Sequence, residues 1–231
     1  MNTTNDINQI LIVSITPYFL EKEGSWFTEN LEKILEARHL QTFFQDNVLF
    51  LEKGNDYNFS QVLRKLDEMG YERVFKVSEP GEFSQRGGII DVFPINLTNA
   101  VRLDFFGNTV EGIKLLEEIK IEDEKKSRDI LKKKLKSQKL FSDLKGLKQG
   151  DYLVHLDHGI ARYCGIENFK FQISNFKLNK YYVLEYARGD KLYVPVGLER
   201  KLSRYVGFQN PKISRLGSSL WQKTKRKIKE E

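Results

Sequence analysis

Cysteine is nearly absent from this chain. Cys164 stands alone among 231 residues, so no intrachain disulfide can form, which fits a reducing compartment. Histidine is scarce too, with three in all. His155 and His158 flank one turn with no cysteine pair beside them, short of the three or four ligands that zinc takes. No apolar run approaches the roughly 18 residues of a membrane helix. The start, MNTTNDINQ, lacks the basic and apolar stretches of a secretory signal. These absences predict a cytoplasmic protein with no membrane contact, no metal and no cofactor of its own. Phosphate-cradling glycine patterns, G-x-x-x-x-G-K-S/T and G-x-G-x-x-G, are missing as well. With no complete set of nucleophile, base and oxyanion donors, the chain reads as a binding protein without ATPase activity.

What is present is a globular balance, 40% hydrophobic and 30% charged, with a net charge of +6. A mildly basic surface suits nucleic acid or an acidic protein, and equally suits plain solvation. ILIVS, residues 10–14, reads as a buried strand. FTENLEKILEAR, residues 27–38, places Phe27, Leu31, Ile34 and Leu35 on one helical face. QTFFQDNVLFL, residues 41–51, looks strand-like. A second helix follows, with Ser60 as N-cap, a stripe of Val62, Leu63, Leu66 and Met69, and Gly70 as the stop. From Tyr71 to Leu116 the period switches to alternation, and glycine and proline pairs separate four strand candidates. This order predicts an α+β domain.

Within that region VRLDFFGN, residues 101–108, puts Val101, Leu103 and Phe105 on one face and Arg102, Asp104 and Phe106 on the other. A phenylalanine among charges is either an ordinary exposed apolar residue or an anchor for a partner. Residues 120–148 hold eleven Lys/Arg against five Asp/Glu. They read as a charged helix or linker that is solvated or touches a phosphate backbone. Beyond it, DYLVHLDHGIARYCGI and KYYVLEYARGDKLYVPV are short strands without intervening helices, which suggests a small SH3-like barrel. LERKLSRYV is predicted helical. Ser219 and Gln222 have capping-box spacing for a terminal helix with Trp221, Thr224 and Ile228 on one face.

Two sets of motifs resemble one family. GEFSQRGGIIDVFP, residues 81–94, followed by VRLDFFGNTVEGIKLL resembles the domain shared by the excision-repair subunit UvrB and the transcription-repair coupling factors (Mfd). LKQGDYLVHLDHGIARYCGIENF and LEYARGDKLYVPVGLERKLSRYVG look like the RNA polymerase-interacting domain of those factors, which is related to the CarD regulators. UvrB lacks the second module, so the pair points to the coupling factors. The resemblance implies segments 1–46 (a partial N-terminal segment), 47–119 (a UvrA-docking domain), 120–147 (a basic linker), 148–207 (a CarD-like barrel expected to fold alone) and 208–231 (a linker helix). It implies UvrA binding through Arg86, Arg102 and Phe106. It also implies that a strand edge pairs with the β subunit of RNA polymerase, with Ile166, Phe169 and Phe171 as apolar contacts. DNA is a further expected partner, through the basic linker and the terminal helix. The family uses ATP and Mg in a translocase motor, and this sequence stops at WQKTKRKIKEE where the family continues into it. HGIA also stands where the family has HGIG. Three readings follow: a shortened coupling factor, part of a translocase whose motor lies beyond Glu231, or a CarD-like regulator.

Overall fold

The computed structural model describes residues 5–138, 144, 146–169, 179–217 and 221. They form two compact units. One comprises residues 1–35 and 46–140, the other residues 36–45 and 141–231.

The first unit begins with β1 (Gln9–Val13), α1 (Pro17–Leu20) and α2 (Gly24–Glu29). The helix expected over 27–38 is broken at Asn30, whose Nδ2 donates to the Trp26 carbonyl. A new helix, α3 (Leu31–Leu40), starts after it. The strand expected from residue 41 begins as helix α4 (Thr42–Asn47), with both Phe43 and Phe44 buried. Adjacent buried side chains are incompatible with a strand that has only one buried face. β2 (Val48–Glu52) then pairs antiparallel with β1. In α5 (Phe59–Glu68) the cap is Asn58, not Ser60; its side chain accepts from the Gln61 amide. Val62, Leu66 and Met69 are buried as expected.

Next come β3 (Glu72–Arg73), β4 (Glu82–Arg86), β5 (Ile89–Val92), β6 (Asn99–Phe106) and β7 (Thr109–Lys120). They form one sheet in chain order, with only β3 parallel to its neighbour. Phe83, Ile90, Val92, Val101, Leu103 and Ile113 fill its inner face. Gly88 allows close approach of the β4–β5 turn to β6. Its carbonyl accepts from the Phe105 amide at 2.8 Å, and a Cβ there would sit 2.5 Å from the Phe105 oxygen. Helix α6 (Glu124–Gln138) closes the unit, with Leu131 buried and Arg128 bonded to the Lys22 carbonyl.

The second unit contains β8 (Tyr152–His155), β9 (Gly159–Phe169), β10 (Asn179–Glu185), β11 (Lys191–Pro195) and β12 (Leu202–Arg204). The sheet order is β11-β10-β9-β8-β12. Among the described residues β11 and β12 do not pair, so the strands form a five-stranded antiparallel sheet and not a closed barrel. LERKLSRYV is a short 3-10 turn running into β12, not a helix. Leu153, Ala161, Tyr163, Leu184 and Val194 make the core. Residues 36–45 belong to this unit. The Thr42 hydroxyl donates to Asp151 Oδ1 at 2.7 Å and accepts from Arg204 Nη2 at 2.8 Å. Arg204 and Asp151 are themselves paired, each side chain 4% exposed. Phe44 stacks on Phe208. The predicted terminal helix lies outside the described residues except for Trp221, whose indole N–H donates to the Leu156 carbonyl.

Candidate docking surfaces

Strand alternation sets the outer face of the first sheet. Asp91 on β5 lies opposite Arg102 on β6, and Arg102 lies opposite Lys114 on β7. Asp91 is buried and binds two guanidinium groups. Arg102 reaches it with two bonds, Nε to Oδ1 at 2.7 Å and Nη2 to Oδ2 at 2.9 Å. Arg86 adds Nη2 to Oδ2 at 2.7 Å. The bonds to Asp91 raise the Arg102 pKa above its ordinary value. Two-point pairing of this kind fixes the plane of a guanidinium as well as its charge. Lys114 pairs with Asp104 beside them.

Phe106 ends β6 just before the Gly107-Asn108 turn, and it is 77% exposed. The same strand hides Phe105, which packs edge-on against Phe59. The structure therefore puts Arg86, Arg102 and Phe106 on one outer face, with the two arginines joined through Asp91. Sequence reasoning missed Asp91 and Lys114. The signal for Asp91 was a carboxylate in GGIIDVFP on the polar side of an otherwise apolar strand.

In the second unit β9 lies between β8 and β10. The β8 ladder ends at Arg162, and Tyr163 exchanges backbone bonds with Gly150 and Asp151. From Cys164 to Phe169 the only ladder among the described residues is with β10, and no described strand pairs with the opposite edge of that stretch. Ile166 is 49% exposed. Phe169 pairs with Asn179, whereas Ile166 pairs with Tyr182. Phe171 lies outside the described residues.

Other polar groups near this sheet play structural parts. The His155 ring accepts a backbone bond from Asp157 through Nδ1. Burial, helped by nearby His158 and Lys201, lowers its pKa to about 4 despite Asp157. Burial pushes the Cys164 thiol up, away from the thiolate a nucleophile needs. Among the described residues no cluster of three or more His, Cys, Asp or Glu is placed to hold a metal, and no helix is long and apolar enough to cross a membrane.

Comparison with known proteins gives two stretches of the chain a counterpart. Residues 49–140 match the UvrB interaction domain. Residues 147–206 match the CarD-like/TRCF RID domain. Over 115 residues the chain is 36% identical to the transcription-repair-coupling factor of Bacillus subtilis (strain 168), covering 47% of this chain and 10% of that protein. The Rickettsia prowazekii (strain Madrid E) protein of the same name is 40% identical over 97 residues, 42% of this chain and 8% of its own length. That of Myxococcus xanthus is 39% identical over 87 residues, 37% of this chain and 7% of its own. The match thus spans about a tenth or less of each of these relatives.

Proposed function

We propose that this chain, which carries a UvrB interaction domain ahead of a CarD-like/TRCF RID domain, is an adaptor that joins RNA polymerase to the excision-repair protein UvrA. Both matched domains are interaction domains, and neither is catalytic. UvrA docks on the outer face of the first sheet, through Arg86, Arg102 and Phe106. The observation that carries this reading is the buried Asp91 carboxylate holding two arginines beside a phenylalanine that is 77% exposed. A rigid arginine pair next to an exposed aromatic has the composition of a binding hot spot. The β subunit of RNA polymerase adds a strand along the edge of β9 opposite β10, between Cys164 and Phe169, with Ile166, Phe169 and Phe171 contributing apolar contact. Backbone bonds supply much of the affinity in such β-augmentation, and alternate side chains the specificity. The adaptor works in the cytoplasm and turns over no ATP.

The experiment is a titration of the purified chain with UvrA and, separately, with the polymerase β subunit. Binding to both is the expected result. A folded chain that binds neither would overturn the reading.

A second reading makes these modules the docking end of an ATP-driven translocase. It is favoured by the share of the relatives that the match covers, 10% or less. In that case the motor, and DNA binding with it, belong to sequence other than these 231 residues, and the docking proposals are unchanged.

A further inference from the structure

The connection from β3 to β4 crosses the outer face of the first sheet, and it is held at both ends. The Val74 amide donates to the Phe83 carbonyl at 2.9 Å. Val77 is 2% exposed and packs with Phe93, Ala100 and Leu116, with Val74 against the same cluster. The Glu82 carboxylate then ties down the far side. Its Oε2 accepts from the Ser78 amide at 2.8 Å, the Glu79 amide at 2.9 Å and the Ser78 hydroxyl at 3.2 Å.

Phe75 sits between the two pinned valines and is 94% exposed, the most exposed large apolar side chain among the described residues. Lone apolar residues are common on surfaces, but this one is presented by a loop with little freedom to turn it inward. Its place in the sheet is also specific. Ala100 and Leu116 are opposite one another on β6 and β7, and Arg102 and Lys114 are the next pair on that face. The step between them is about 7 Å. The loop that carries Phe75 therefore lies on the same face as Arg102, one step along the strands.

We propose that Phe75 is a second aromatic anchor of the UvrA-docking surface, so that the partner is held by two aromatics, Phe75 and Phe106, with the Asp91-bound arginines on the same face. This rests on the reading that UvrA docks on that face. An anchor whose flanking residues are already held loses less backbone freedom on binding, which favours affinity. The fold gains nothing visible from the ring, so its removal leaves the unit intact.

The test is titration of UvrA against the full chain and its Phe75→Ala and Phe106→Ala variants, with thermal melts and sedimentation of each. The expected result is a loss of at least about tenfold in UvrA affinity for Phe75→Ala, with an unchanged melting midpoint. If Phe75→Ala binds like the parent while Phe106→Ala is weakened, Phe75 is no anchor and the docking surface stands without it. If both folded variants bind like the parent, the docking reading fails and takes this proposal with it. If Phe75→Ala instead breaks up a self-associated parent without changing UvrA affinity, the ring contacts a second copy of the chain, and the proposal is overturned.

Discussion

Asp91 is the residue on which the proposed UvrA-docking face turns. A buried carboxylate with two guanidinium partners cannot lose its charge without leaving two cations to find other contacts. Asp91→Asn should therefore free both arginines and weaken UvrA binding even though its own side chain is buried. It should also cost about 1–3 kcal/mol of stability in denaturant melts, the usual range for a lost charged hydrogen bond. Arg102→Ala and Phe106→Ala act on the surface itself. Each should cost about 2 kcal/mol or more of binding, roughly thirtyfold. Phe106→Ala should leave the melting midpoint where it was, because a side chain 77% exposed contributes little packing. Parent-like titrations from both folded variants would remove UvrA from this face. Phe105→Ala is the contrast. Its ring is buried against Phe59, and truncation should cost about 3–5 kcal/mol with effects on binding only through unfolding.

At the scale of the element, β9 and the turn before it carry two predictions. Phe169→Arg in that proposed docking stretch of β9 should abolish capture of the polymerase β subunit by the full chain, since a desolvated interface does not tolerate an unpaired charge. Circular dichroism must show the sheet retained, and full capture by that folded variant would exclude Phe169 as a contact. His155 makes the end of β8 sensitive to acid. Its folded pKa, about 4, lies below the ordinary value near ~6.5 of the unfolded chain. Between those values the unfolded state binds the extra proton, so stability rises with pH and falls on acidification through that window. Melting midpoints should drop between about pH 6.5 and 4.5, and His155→Gln should flatten the slope. An identical slope in that variant would assign the effect to other groups.

At the scale of the whole molecule, the chain path matters as much as the two sheets. It leaves the first unit after Leu35, contributes residues 36–45 to the second unit, and returns at Asp46. A fragment of residues 148–207 lacks that segment. Asp151 would lose the Thr42 hydroxyl and Arg204 both that hydroxyl and the Phe43 ring beneath it. The Asp151–Arg204 pair is 4% exposed on each side, and buried pairs hold only when their remaining hydrogen bonds are met. The isolated fragment should melt below the second unit of the intact chain, and Thr42→Val in the intact chain should reproduce about 1 kcal/mol of the loss. Equal stability of fragment and intact unit would show that the segment is dispensable. The two proposed docking surfaces lie on different units and share no residue, so Phe106→Ala should leave polymerase capture unchanged and Phe169→Arg should leave UvrA binding unchanged.

Period and punctuation in the sequence alone determined much of this. Alternation in VRLDFFGN assigned Arg102 and Phe106 to one face and Phe105 to the other, as the β6 register has them. Gly87-Gly88 and Gly107-Asn108 marked the β4–β5 and β6–β7 turns, and the motifs in GEFSQRGGIIDVFP and LKQGDYLVHLDHGIA resembled both domain types that the family models match. The alternation and the turns rest on local backbone geometry, which a short window contains, and the domain types rest on resemblance to a family. Tertiary structure decided the rest, because the causes lie far apart in the chain. The arginine pair needs a carboxylate from a neighbouring strand. Helix α4 forms where the sequence looked strand-like, with Phe43 and Phe44 both buried and Phe44 meeting Phe208. In ERVFKVS a continued strand would have put Phe75 and Val77 on one face, but β3 ends at Arg73. The chain then turns across the sheet, Val74 and Val77 go inward, and the phenylalanine between them is left in water.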